Sequence, residues 1–473
     1  MLFPTVEFAL FFVVVLIVAW SLHRFNGAHK IFLLLASYVF YGFWDWSYVP
    51  LLFGLSIFSV LIARQIQASQ TKKLQTFWLA VGVTVCLSTL GYYKYTGFLF
   101  TSVLELWRHF GRPPAAHLLS PLLPLGVSFF TFHAISLMMD AYRGKLRQTV
   151  GVLDALLYVA FFPQLIAGPI LRASSFLPQL AVRRNPSAIR VNRALLLIVS
   201  GLFKKVVISN LLATRLVEQV FAAPQAFHRT DIVLAVYGYA AQIYCDFSGY
   251  TDIAIGCAML LGYQFPRNFN APYTAANPQE FWRRWHISLS SWLRDYLYIP
   301  LGGSRCSARR VCVNLMITML LGGLWHGAAW TFVTWGALHG LYLVIHRGWT
   351  AVAWPPVVRL RKTAAWRWVS CILLFHAVCL GWVFFRAPSF GIAFALLQQL
   401  ASPGAATLAT FPVLLALLAG LFGQFQPLRW RRAAELEASR WPALVSGAAF
   451  AVAIFTIELL GPSGVAPFIY FRF

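Results

Sequence analysis

The chain has 473 residues, of which 59% are hydrophobic, 16% aromatic and only 11% charged, with a formal net charge of +24. Soluble chains carry about 45–50% apolar and about 25% charged residues, so this composition excludes a water-soluble enzyme and gives an integral membrane protein. The Lys and Arg residues sit mostly in short loops between apolar runs, which points away from nucleic acid and towards membrane orientation and anionic headgroups.

Apolar runs of the roughly 20 residues needed to cross a bilayer recur from end to end. The first, Phe8 to Trp20, has no basic residue before it and reads as a retained span rather than a cleaved signal. Arg24 and Lys30 follow it, so the positive-inside rule puts the N-terminus outside and this loop in the cytoplasm. Further spans are expected over residues 31–44, 49–63 and 77–95, the last ending in an interfacial belt of Tyr92, Tyr93, Lys94 and Tyr95. Residues 98–110 read as a separate amphipathic piece.

The run 152–171 has basic residues on both sides and contains Pro163, Gly168 and Pro169. A re-entrant or horizontal element is expected there, which lipid tolerates only where protein or a water-filled cavity surrounds it. A span over 190–212 carries Lys204 and Lys205, which must face protein or water. The run 232–262 is expected to break at Asp246-Phe247-Ser248-Gly249-Tyr250-Thr251-Asp252 and to form an interior polar site.

Residues 277–297 hold too many charges for a span. Asn277 can cap a helix, Pro278 suits its first position, and Glu280 completes a capping box. One amphipathic helix is expected, with Trp282, His286, Leu289 and Leu293 on its apolar face. Two helices over 311–344 contain His326 and His339, and further spans are expected over 368–385, 411–425 and 443–460. The basic cluster Arg429, Arg431, Arg432 and Arg440 then places the C-terminus outside.

A titratable ring in an apolar run is costly and marks a functional candidate. His326, in Leu-Trp-His-Gly, reads as a catalytic base, and His286 as a second functional ring or a structural one. His339 and His133 read as structural. Asp246 and Asp252 either line a substrate path or pair with basic residues inside the bundle. Trp282, Trp285 and Trp292 either stack on a donor or belong to an interfacial belt. Lys204 and Lys205 either bind a phosphate-bearing donor or snorkel. No metal is expected, because His326, His339 and His346 match no ligand spacing. The seven cysteines form no Cys-x-x-Cys pair and read as buried hydrophobes.

Five stretches carry a family resemblance: LPLGVSFFTF, FFPQLIAGPILR, DFSGYTDIAIG, EFWRRWHISLSSWLRDYLYIPLGG and LLGGLWHGAAWTFVTWGALHG. Together they resemble the membrane-bound O-acyltransferase family, in particular its bacterial alginate O-acetyltransferase branch. The resemblance implies a single domain over 1–473, with N-terminal spans over 1–110, a catalytic core over 119–347 and C-terminal spans over 366–473. It implies an all-α integral membrane bundle of about eleven spans, with re-entrant helices around a central funnel.

It also implies that His326 and His286 are the family's catalytic histidines, with Trp325, Asp246, Asp252, Trp282, Trp285, Arg283 and Arg284 as candidates for lining the donor path. The last six residues, Phe468 to Phe473, resemble a C-terminal Phe-x-Tyr-x-x-Phe motif of extracytoplasmic acylation systems, which makes Tyr470 a candidate acyl relay. The implied activity is transfer of acetyl from a cytoplasmic thioester, acetyl-CoA, to an extracytoplasmic polysaccharide such as alginate or cellulose. No bound cofactor is expected. An SGNH-type or similar extracytoplasmic acetyltransferase is the expected partner, and the bacterial inner membrane the expected location. A transporter, or a D-alanyl or peptidoglycan transferase, is the alternative.

Overall fold

The computed structural model describes residues 1, 3–111, 121–146, 148–426, 428–462 and 469, and every regular element among them is helical. Five helical stretches are long and apolar enough to cross a membrane: Trp46–Ala68, Lys72–Phe110, Val191–Ala222, Ala364–Arg386 and Ala443–Leu460. Their outward faces are apolar. On Ala443–Leu460, Leu444, Val452, Phe455 and Leu459 all point away from the protein, as lipid-facing side chains must. Contacts divide the chain into two compact units, Met1–Ile189 with Cys257–Pro266, and Arg190–Gly256 with Arg267–Phe473.

In the first unit the helices Val6–Ser21, Asn26–Gly42, Val49–Ala68 and Val127–Tyr142 surround the segment expected to be re-entrant. That segment is broken. A helix over Val152–Ala160 stops at Phe161, one turn follows over Phe162–Leu165, and the next helix starts at Ala173. Every residue from 155 to 171 is buried. Its non-helical backbone therefore needs partners from within the protein. Ser37 Oγ accepts from the Phe162 N–H at 3.1 Å, Tyr158 donates to the Leu171 carbonyl at 2.8 Å, and His133 Nε2 accepts from the Leu171 N–H at 3.3 Å. This gives His133 the structural role expected of it.

Two expectations are corrected here. Lys72–Phe110 is one continuous helical stretch, with a widened turn at Gly91–Tyr95 in place of a break before residue 98. Arg229–Leu260 is an unbroken helix, and its part up to Gly256, with Asp246 and Asp252, belongs to the second unit. It survives because both carboxylates find lysines on the facing helix: Lys205 pairs with Asp246, and Lys204 with Asp252. Lys204 also donates to Ser248 at 3.2 Å. Both lysines lie in a wide-turn stretch, Phe203–Ser209, inside the long Val191–Ala222 helix. Each lysine is thus held in an ion pair with a facing aspartate.

The two helices approach through glycines. A Cβ on Gly201 would lie 2.5 Å from the Gly249 carbonyl oxygen, and one on Gly249 would lie 2.7 Å from the Gly201 oxygen. Small residues let helix backbones meet closely in a membrane, and this contact sets the lysine and aspartate rows opposite each other. Gly201→Ala should therefore cost about 1–3 kcal/mol, since the obstructing atoms are backbone. A lower melting temperature in detergent, with Gly54→Ala (open space around the added Cβ) unchanged as control, is the expected result.

Candidate active site

The site lies in the second unit. Helices Ala308–His326 and Trp330–Ala351 form a tight hairpin, again glycine-mediated. A Cβ on Gly323 would sit 2.3 Å from the Phe332 carbonyl oxygen, and one on Gly336 2.4 Å from that of Met319. His326 is the last residue of the first helix and only 3% exposed. Its ring centre is 5.0 Å from Trp325, 5.0 Å from Trp335 and 5.3 Å from Phe385, which belongs to Ala364–Arg386.

His286 lies 6.4 Å from His326 between ring centres. The single amphipathic helix expected over 277–297 is not what forms. Pro278–Arg284 ends, Ile287–Leu293 begins, and His286 sits at the break with φ 39° and ψ 56°. A left-handed backbone is uncommon outside glycine, costs free energy, and clusters at functional sites. The break is pinned by residues 268–270. The Asn268 carbonyl accepts from the Ile287 N–H at 2.9 Å, and Asn268 Oδ1 accepts from the Ser288 N–H at 3.1 Å and its hydroxyl at 2.9 Å. The Arg284 carbonyl accepts from the Asn270 N–H at 2.9 Å. Asn277 caps the first helix as expected, its Oδ1 accepting from the Glu280 N–H at 2.8 Å, while Glu280 reaches one residue beyond the expected capping box and accepts from the Ala276 N–H at 2.9 Å.

The His286 ring is fully buried, edge-on to Phe247 at 4.6 Å and 6.1 Å from Trp325. Neither of its nitrogens has a hydrogen-bond partner among the described residues. Burial pushes its pKa down to about 3, so the ring is neutral at pH 7. A buried, unpartnered polar ring on strained backbone is costly on two counts, and such exceptions call for a functional explanation.

His339 joins the same wall. Its ring centre is 4.8 Å from Trp335, 5.2 Å from Trp282 and 5.5 Å from Tyr342. Trp285 is buried against Phe281 at 5.6 Å and Trp382 at 5.0 Å. Trp285 and Trp292 are thus core residues and not part of an interfacial belt. The structure does not bring the two arginines to the histidines: Arg283 is exposed, and Arg284 is bound to Glu280 at 2.6 Å and Thr274 at 2.9 Å. Asp252 is committed to Lys204. Tyr470 lies outside the described residues.

Two cavities flank this wall. One, of about 380 Å³, is lined by Lys205, Gln242, Asp246, Thr331, Phe332, Phe385, Arg386 and Ile469 among others. The other, of about 730 Å³, is lined by Asn277, Glu280, Tyr342, His346, Trp349, Arg361, Lys362, Trp366 and Arg367 among others. On Trp330–Ala351 they occupy opposite ends, Phe332 in the first and Tyr342 to Thr350 in the second, which at 1.5 Å per residue is a separation of about 15 Å. His326 lines neither. Instead, ring contacts run from one cavity to the other in the order Tyr342, His339, Trp335, His326, Phe385.

Sequence reasoning missed Phe247, Trp335, Phe385 and the part played by Ile469. Trp335 was within reach, because it stands four residues before His339 and so on the same helix face. Phe385 carried no signal beyond closing an apolar run.

An all-helical, lipid-facing protein with buried imidazoles in an aromatic wall between two cavities has the makings of a water-excluding transferase. The profile of the membrane-bound O-acyltransferase family matches residues 125–387, a stretch that holds His286, His326 and His339. The chain is 43% identical over 377 residues to the "Probable alginate O-acetylase AlgI" of Pseudomonas aeruginosa, covering 79% of this chain and 70% of the relative. It is 39% identical over 396 residues to the peptidoglycan O-acetyltransferase of Helicobacter pylori, covering 78% and 73%. It is 28% identical over 343 residues to the teichoic acid D-alanyltransferase of Bacillus subtilis, covering 65% and 86%. The chain belongs to the membrane-bound O-acyltransferase family. It is a multi-pass membrane O-acyltransferase.

His286→Asn keeps a side chain that tolerates left-handed backbone and removes the imidazole. Transfer activity should fall about tenfold or more, with the melting temperature at pH 7 little changed. A ring whose folded pKa lies below its unfolded value stabilises above about pH 6.5 and loses that contribution as pH falls. The wild type should therefore lose stability more steeply than His286→Asn between pH 7 and pH 5, read by melting curves across that range.

Proposed function

We propose that this protein moves an acetyl group from a cytoplasmic thioester, acetyl-CoA, across the bacterial inner membrane for O-acetylation of an extracytoplasmic polysaccharide such as alginate or cellulose. The observation that carries this reading is the line of ring contacts joining the two cavities, with His326 within it. The larger cavity, rich in Arg, Lys and Trp, belongs to the donor. Lys362 and Arg367 suit phosphates, Arg361 is held by the carbonyls of Trp349 and Thr350 at 3.0 Å each, and Trp349 and Trp366 suit a nucleobase. Positive charge at that end supports a cytoplasmic position for it. The smaller cavity then faces outward and takes the acceptor. Both termini lie outside, and the chain crosses about eleven times around a central funnel as one domain.

The chemistry requires a base, a dry site and no metal. A ring nitrogen of His326 takes the proton of the acceptor hydroxyl, whose oxygen attacks the thioester carbonyl. The tetrahedral intermediate collapses, expelling the thiolate, which recovers the proton from the imidazolium. Neutral His286 beside it is suited to donate one N–H to the oxyanion, or to fix the orientation of Trp325 and His326. The closely packed rings are suited to exclude water that would hydrolyse the thioester. Identity of 39–43% to O-acetylating relatives against 28% to the D-alanyl transferase favours acetyl.

Ile469 in the acceptor cavity favours the hydroxyl of Tyr470, its neighbour in sequence, as the first acceptor. An SGNH-type extracytoplasmic partner would then pass the group to the polymer.

His326→Ala, at normal membrane level, should lose about 10²–10⁴ in transfer from labelled acetyl-CoA. Acetyl groups still reaching the polymer in that variant would remove the base from the mechanism. In wild type, mass spectrometry should find the label on the peptide containing Tyr470. A Tyr470→Phe variant with undiminished polymer acetylation would show that the group goes directly to the partner or the sugar.

A further inference from the structure

The carboxylate of Asp246 is 2% exposed, and so deep an ion pair is hard to explain by stability alone. Apolar residues of similar shape serve a buried position as well or better. Its neighbour pair, Lys204 with Asp252, reaches the surface, with side chains 17% and 26% exposed. The Lys205–Asp246 pair does not, at 3% and 2%. What distinguishes Asp246 is the use of its second oxygen. Lys205 holds Oδ1, and Oδ2 accepts the backbone N–H of Ile469 at 2.9 Å, across 223 positions of sequence. Ile469 is itself buried, 5% exposed, and its side chain lines the smaller cavity with Phe332 and Phe385, the latter in contact with His326.

We propose that Asp246, oriented by Lys205, is a seat for the chain's own C-terminal segment. It captures that segment by the backbone of Ile469 and fixes its register in the cavity beside His326. A hydrogen bond from a backbone N–H to a buried carboxylate is charge-assisted and about twice as strong as a neutral one. It reads position along the chain and not side-chain identity. Lys205 is required because a lone charge at that depth is costly, and its hold on Oδ1 leaves Oδ2 for Ile469. Tyr470 follows Ile469 directly in sequence, so the seat holds the residue just before the candidate relay. In this way the seat adds a positioning pair to the function proposed above. The seat itself rests on the hydrogen bond and the cavity, and does not require Tyr470 to be acylated.

Proline has no N–H, so Ile469→Pro in the full-length protein removes the seated donor and leaves the helices untouched. Ile469→Val keeps it. In nanodiscs, hydrogen exchange of the C-terminal peptide should be slow in wild type and in Ile469→Val. It should speed about tenfold or more in Ile469→Pro. Replacing the whole pair, Asp246→Leu with Lys205→Met, should release the segment to the same degree without leaving a lone buried charge. Peptide protection in Ile469→Pro equal to wild type overturns the seat, whether or not the paired variant folds. Tyr470→Phe should leave protection unchanged whatever it does to transfer. Failure of the relay and failure of the seat are therefore read separately.

Discussion

A polar group set among lipid-facing helices does best with a partner inside the protein, and the placing of the main buried charges and broken backbone in this enzyme follows from that condition. The broken segment around residues 161–172 has backbone groups satisfied by Ser37, Tyr158 and His133. Lys204 and Lys205 are each matched to an aspartate on the facing helix. Asp231, fully buried, accepts from the Thr407 N–H and hydroxyl and from the Leu408 N–H, which ties down the loop before the Phe411–Phe422 helix. Against that background His286 stands out, because it has both a strained backbone and a ring with no hydrogen-bond partner among the described residues.

The same condition shapes the reaction. The transfer proposed above needs a base beside the acceptor and a surround that keeps water out. The wall of Trp, Phe and His rings around His326 is suited to both. It stands between the two cavities as an unbroken line of ring contacts from Tyr342 to Phe385. His326 sits at the end of one arm of a glycine-packed hairpin, so backbone contact and not a flexible loop sets its position.

Much of this was legible in the chain itself. The Trp-His-Gly and Arg-Trp-His contexts led to the two histidines that the structure places 6.4 Å apart, and Asn277, Pro278 and Glu280 marked a helix start by their capping chemistry alone. The break at His286 was not legible. Its periodicity reads as one amphipathic helix, and the hydrogen bonds that interrupt it come from Asn268 and Asn270, residues outside that pattern. Asp246 and Asp252 suggested a broken helix for the opposite reason: their lysine partners lie about 40 residues earlier, and only the fold shows that the charges cancel. For Trp285 and Trp292 an interfacial belt and donor stacking were both open readings, because composition does not distinguish a ring at the headgroup layer from one in the core. The contact between Ile469 and Asp246 joins two places with no shared motif, so nothing short of the fold could reveal it.

The most direct measurement is an experimental map of the protein in nanodiscs with a non-hydrolysable thioether analogue of acetyl-CoA. The account predicts the nucleotide among Arg361, Lys362 and Trp349, the pantetheine arm threaded past displaced Trp335 and His339 rings, and the acyl carbonyl within reach of His326. An analogue bound with its carbonyl remote from His326, and the aromatic wall closed, would contradict it.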